Sequence, residues 1–181
     1  MATALYVTST ETYSGKTALC AGIAQRMRRD GLHVGYFKPL SFAATRDESG
    51  AVDEDTRVMK RLLGLKEPLD VLCPVLITPG LLDRIISGEK HTLDEKIKDA
   101  YKTVSAGKDV VIIEGANNMA TGCLIDMSGI EIAAAFNAKS VVVVRYRYDL
   151  VVDHLLIAKR VVGDAVIGSV INTVPAGRMD W

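Results

Sequence analysis

Gly15-Lys16-Thr17 follows a short polar stretch, Thr8-Ser9-Thr10-Glu11-Thr12-Tyr13-Ser14, that separates an apolar segment from a helical pattern. Such a turn can hold a nucleoside triphosphate. Its backbone N–H groups point inward, the first turn of the following helix adds its positive end, the lysine reaches the outer phosphates and the hydroxyl ligates magnesium. Leu5-Tyr6-Val7 before the turn is β-prone, and Leu19, Ile23 and Met27 recur at helical spacing before Gly31. The usual spacing, G-x-x-x-x-G-K-[ST], asks for glycine at position 10, where this chain has Thr10. The plainer alternative is an ordinary helix start with a surface lysine.

Four other places carry groups that could join the same chemistry. Tyr36-Phe37-Lys38-Pro39 ends an apolar run with a lysine, either a second cation that stabilises charge on a transferring phosphate or a solvated strand-end residue. Asp53-Glu54-Asp55 stands before the amphipathic stretch Thr56–Leu63, where acidic residues also favour a helix start through its dipole. Val110-Val111-Ile112-Ile113-Glu114 ends a buried run in a carboxylate, which is costly at a low-dielectric rim unless a cation or metal meets it. Ile171-Asn172-Thr173 offers an amide with both donor and acceptor, suited to a base edge or to a turn.

Five apolar runs read as strands buried on both faces: 5–9, 34–37, 110–114, 140–145 and 165–171. Helical patterns lie between them at 17–30, 55–63, 81–87, 93–106, 130–137 and 150–162, while 72–76 reads as a short strand or a buried loop. This alternation predicts an α/β fold, a mainly parallel central sheet with helices on both faces, with ligands gathering at the carboxyl ends of the strands. The chain has 181 residues, 49% of them hydrophobic, and no linker composition, so one domain over 1–181 is expected. Lysine and arginine number 22, as do aspartate and glutamate, which excludes a basic field for nucleic acid. No apolar run approaches the roughly 20 residues of a membrane span, and the first residues lack a signal pattern, so a cytoplasmic protein is expected. Cys20, Cys73 and Cys123 are read as reduced packing residues, and His33, His91 and His154 as surface or helix histidines. Arg145 and Arg147 are expected to pair with Asp149 and Asp153 rather than to grip an anion.

Thr10-Glu11-Thr12-Tyr13-Ser14-Gly15-Lys16-Thr17, with the Lys38-Pro39 and Glu114-Gly115 pairs, resembles the P-loop family of dethiobiotin synthetase and cobyrinic acid a,c-diamide synthase. Tyr-Ser-Gly-Lys-Thr and Val144-Arg145-Tyr146 look most like the dethiobiotin-synthetase-like domain of some phosphotransacetylases. The resemblance implies a three-layer P-loop NTPase fold, ATP and Mg2+ as cofactors, a small carboxylate or amine substrate, and a homodimer. It implies phosphate contacts from Thr12, Tyr13, Ser14, Gly15, Lys16 and Thr17, catalytic roles for Lys16, Lys38 and Thr12, metal ligation by Thr17, Asp55 and Glu114 with Asp53 as substitute for Asp55, and base recognition by Asn172. Ser41 lies three residues after Lys38 rather than four and is not carried over, and Ala116-Asn117-Asn118 replaces a glycine pair. Family members continue past the Asn with a further helix and strand, which suggests the N-terminal part of a longer or trimmed protein. A nucleotide-sensing module without catalysis is the alternative function.

Overall fold

The computed structural model describes residues 2–47, 50–148 and 150–178. In chain order the elements are β1 (Thr3–Ser9), α1 (Lys16–Arg29), β2 (Val34–Phe37), β3 (Leu40–Ser41), β4 (Ala44–Asp47), β5 (Gly50–Asp53), α2 (Glu54–Leu63), α3 (Leu69–Leu72), β6 (Val75–Leu76), α4 (Pro79–Ile86), α5 (Leu93–Ser105), β7 (Val110–Glu114), α6 (Gly129–Ala135), β8 (Lys139–Arg145), α7 (Leu150–Val162) and β9 (Val166–Asn172). The main sheet runs β2-β7-β1-β8-β9 and every pairing in it is parallel.

Right-handed crossovers fix the layers. The step from β1 to β2 runs one way across the sheet and the steps from β2 to β7, β7 to β8 and β8 to β9 run the other, so α1 covers one face while α5, α6 and α7 cover the other. The contact of α6 with α7 fits that division, while α2, within the β2-to-β7 connection, packs against α1 as well as α3. The connection leaving β1 goes to one side and that leaving β8 to the other, which opens a crevice at their carboxyl ends.

The core lies on the three strands around β1. Tyr6, Val7, Tyr36, Phe37, Ile112 and Ile113 are buried, and Phe37 meets Tyr101 and Phe136 edge-on at 5.6 and 6.1 Å. Helix α2 shows how local signals set an element: Asp53 caps it by accepting from the Thr56 N–H, Glu54 and Asp55 sit at its positive end, Lys60 and Arg61 at its negative end, and Gly64 stops it in the left-handed conformation.

Three expectations change. β9 is not buried on both faces: it is the sheet edge, and Ile167 and Ile171 are exposed. The stretch 40–53, without strand alternation, forms β3 and the antiparallel hairpin β4–β5, whereas 64–80 supplies both a short helix and a short strand. Cys123 is exposed, so only Cys20 and Cys73 pack inside. Among the described residues no helix is long and apolar enough to cross a membrane.

Candidate functional site

Strand β1 delivers the loop 10–15 to the sheet's carboxyl rim, and α1 begins at Lys16 with Gly15 as its cap. The loop curls through two left-handed residues, Tyr13 (φ 54°) and Gly15 (φ 99°), with Thr10 outside that region. A Cβ on Gly15 would come within 2.4 Å of Asn172 Nδ2, so only glycine fits there. A cavity of about 430 Å³ opens above the loop, lined by 12–18, by Lys38, Ser41, Phe42, Ala43 and Asp55, and by 114–117. A larger cleft of about 560 Å³ behind the β4–β5 hairpin shares only Asp53 with this chemistry.

Lys16 is buried at the mouth of α1, and its Nζ donates to Ser9 Oγ at 2.9 Å and to the Asn117 carbonyl at 3.0 Å. Burial pulls its ammonium below the usual lysine range, against the pull of Glu114. Thr17 Oγ1 donates to Glu114 Oε1 at 2.6 Å, and the other carboxylate oxygen accepts from Tyr36 OH at 2.9 Å. Glu114 is fully buried, and that burial raises its carboxyl, with Lys38 at 3.9 Å opposing.

Lys38 follows the last registered pair of β2 and β7, Phe37 with Ile113, which sets it opposite Glu114. Its Nζ lies 2.9 Å from Asp53 and 2.7 Å from Asp55. Burial alone would lower this ammonium, but Glu114, Asp53 and Asp55 outweigh it and raise it. Burial likewise works to raise Asp53, yet Lys38, the Ser41 hydroxyl (2.6 Å) and the Thr56 N–H (2.8 Å) hold it below the usual range. These bonds fill Asp53 as cap and counter-ion. Asp55, half exposed on the cavity wall, faces the same cavity as Thr17 and Glu114.

Asn172 sits at the other end of the loop. Its Nδ2 donates to the Ser14 carbonyl at 2.9 Å and its Oδ1 accepts from the Thr173 N–H, which leaves one amide N–H for a ligand. Thr12 and Tyr13 are exposed on the cavity wall, whereas Ser14 is buried.

Arg145 and Arg147 pair with Glu11, at 3.0 and 3.2 Å, and not with Asp153 as expected; Asp149 lies outside the described residues. His154 lies on helix α7, as expected, and its Nδ1 is 2.8 Å from Thr10 Oγ1. Tyr36, Thr56 and Glu11 escaped sequence reading. Tyr36 was findable: two residues before Lys38 on a strand, it must share a face with it.

Oxygen donors alone, two carboxylates and a hydroxyl, suit a magnesium ion that takes its remaining ligands from phosphates and water. Among the described residues no group of three or more His, Cys, Asp or Glu gathers as a self-sufficient metal cage.

A parallel sheet whose first strand feeds Gly-Lys-Thr into a helix, with Glu on the adjacent strand, defines a P-loop domain of the α/β NTPase-like fold. The chain belongs to the AAA_26 family, described as AAA domain, whose profile matches residues 3–178. It is 33% identical over 121 residues to the ATP-dependent dethiobiotin synthetase BioD of Methanocaldococcus jannaschii, covering 64% of this chain and 53% of that protein. Against the synthetase of Methanococcus vannielii it is 29% identical over 174 residues, 94% of this chain and 79% of the relative. The match spans only about half the length of several such relatives, 49% for that of Caldicellulosiruptor saccharolyticus. In fold it is similar to the kinase domain of the Escherichia coli tyrosine kinase ETK (TM-score 0.53, 12% identity, 99% of this chain and 71% of that one) and to the BceF tyrosine kinase domain (TM-score 0.51, 15% identity, 95% and 69%).

Proposed function

We propose that this chain is a single P-loop domain that binds ATP with magnesium and activates a small carboxylate or carbamate by phosphorylation. One observation carries the reading: Thr17, at the first turn of α1, donates to the buried Glu114 beside Lys16 and Lys38, all on one cavity of about 430 Å³. Two carboxylates, Asp55 and Glu114, and the Thr17 hydroxyl line it, oxygen donors that suit a divalent cation arriving with the nucleotide.

Loop amides and Thr12 would hold phosphate oxygens at the positive end of α1, and Lys16 would leave Ser9 and Asn117 to meet the outer phosphates. Thr17, Glu114 and Asp55 would hold the metal, which when bound offsets charge on the β- and γ-phosphate oxygens. The substrate carboxylate takes the γ-phosphoryl group and releases ADP; an amine then attacks the acyl carbon and expels phosphate. Lys38, oriented by Asp53, neutralises charge on the moving group. Asn172 would give its remaining N–H to the base. A homodimer belongs to the same reading.

The competing reading, a nucleotide sensor of the phosphotransacetylase-linked type, is favoured by one contact: Lys16 is bonded to the carbonyl of Asn117, so nucleotide capture would release the 115–122 loop. Phosphate release from ATP and magnesium, with and without diaminopelargonic acid or a cobyrinic acid analogue, separates the two. Substrate-dependent release supports the enzyme, binding without release supports the sensor, and neither at millimolar ATP removes both.

A further inference from the structure

The phosphate loop lacks its first glycine and places a tyrosine in the left-handed region, a conformation L side chains resist. Something outside the loop must hold it. The parallel register of β1 and β8 pairs Ser9 with Val143, and carried two residues further it sets Glu11 opposite Arg145. There Glu11 Oε1 accepts from the Arg145 backbone N–H at 3.1 Å, Oε2 accepts from the Arg145 guanidinium at 3.0 Å, and Arg147 adds a third contact at 3.2 Å. The Glu11 side chain is 14% exposed, against 32% for Arg145 and 53% for Arg147, so the Arg145 contacts are the better shielded and the Arg147 contact is open to solvent.

The neighbouring residues are fastened in the same way. Ser9 Oγ donates to the Glu11 carbonyl at 2.7 Å, Thr10 Oγ1 is 2.8 Å from His154 on α7, and Asn172 of β9 holds Ser14. Glu11 is the one member whose carboxylate draws on two cations at once, and neither arginine lines the cavity above the loop.

We propose that Glu11, through Arg145 and Arg147, is the positioning residue of the phosphate loop, keeping residues 10–15 in their anion-binding curl where sequence supplies no glycine at position 10. The inference rests on the nucleotide-binding reading above. Its consequence is that the segment 145–147 controls nucleotide affinity without touching nucleotide.

The test measures ADP and magnesium–ATP affinity by calorimetry, with thermal midpoints alongside, for the whole chain and for Glu11→Gln, Arg145→Met, the double variant, Arg147→Met and Lys16→Ala. Glu11→Gln weakens both nucleotides about tenfold, as expected from losing a hydrogen bond to a charged group, while the thermal midpoint moves by only a few degrees. The double variant binds no worse than Glu11→Gln alone, since both residues act through one contact. Arg147→Met, half exposed, weakens binding about threefold and carries the test if Glu11→Gln does not fold. Wild-type affinity in Glu11→Gln, or in Arg147→Met where Glu11→Gln is unfolded, overturns the proposal, as do losses that add in the double variant. If Lys16→Ala also binds as wild type, the nucleotide-binding reading itself has failed.

Discussion

Strands β7 and β9 read alike in sequence, two runs rich in valine and isoleucine that each end in a polar residue, yet they occupy opposite situations. β7 lies between β2 and β1, so its last residue, Glu114, meets Tyr36 and Lys38 from one side and Thr17 from the other. Among the described residues β9 pairs with β8 alone, and the Asn172 side chain at its end meets backbone groups of Ser14 and Thr173. A polar group at a strand end acquires chemistry from the neighbours that feed its rim: β9 contributes a contact at one edge, whereas β2, the opposite edge, feeds Tyr36 and Lys38 into the charged cluster because β7 beside it ends in Glu114.

The sharpest way to break this contrast is Lys38→Met, which keeps the stem and leaves Asp53 and Glu114 buried without their cation. A loss of about 3–5 kcal/mol in urea unfolding is expected, and a loss no larger than for a surface lysine would mean the inner cluster is not coupled as described. Next come paired truncations: Ile113→Ala on β7 removes a fully buried side chain and costs about 2–5 kcal/mol, whereas Ile167→Ala on β9, 60% exposed, costs about 0.5 kcal/mol or less. Equal costs would erase the distinction between the strands.

Acid sharpens the same comparison. The carboxyl of Asp53 is held below its unfolded value, so its contribution is present above about pH 4 and is lost as pH falls through the folded value. Glu114, raised by burial, has the opposite sign: its ionisation weighs against the fold at neutral pH, and protonation on mild acidification relieves that. Unfolding free energy followed from pH 6 to 2 should therefore fall most steeply at the acid end, and Asp53→Asn should flatten that fall; an unchanged slope would contradict the pairing. Apart from Ile167→Ala, the smallest effect is expected at the same edge, where Asn172→Ala removes the bond to Ser14 and costs about 1 kcal/mol by thermal unfolding.

Much of this architecture was legible because parallel strands and their crossover helices leave long one-character signals. β2, β7 and α7 have the boundaries their apolar patterns predict, and Gly15-Lys16-Thr17 marks the β1–α1 junction. The hairpin β4–β5 was not, since Ala44 to Asp53 is mostly polar in sequence and of β5 only Val52 and Asp53 are buried, so burial imposes no period-two pattern on it. The edge status of β9 was hidden for a related reason: apolar content records what a strand prefers, while strand order is set by topology. The pairing of Glu11 with Arg145 was invisible because its partners are 134 residues apart and only the β1–β8 register joins them.

All of these roles depend on the loop at 10–17 being a seat for phosphate. Calorimetric titration of the chain with ATP and magnesium, beside Lys16→Ala, tests that most directly. Saturable binding that needs magnesium and falls by at least about a hundredfold in the variant, the loss expected from one strong contact to a phosphate charge, is the predicted result. No heat at millimolar ATP, or equal affinity in both proteins, would contradict it.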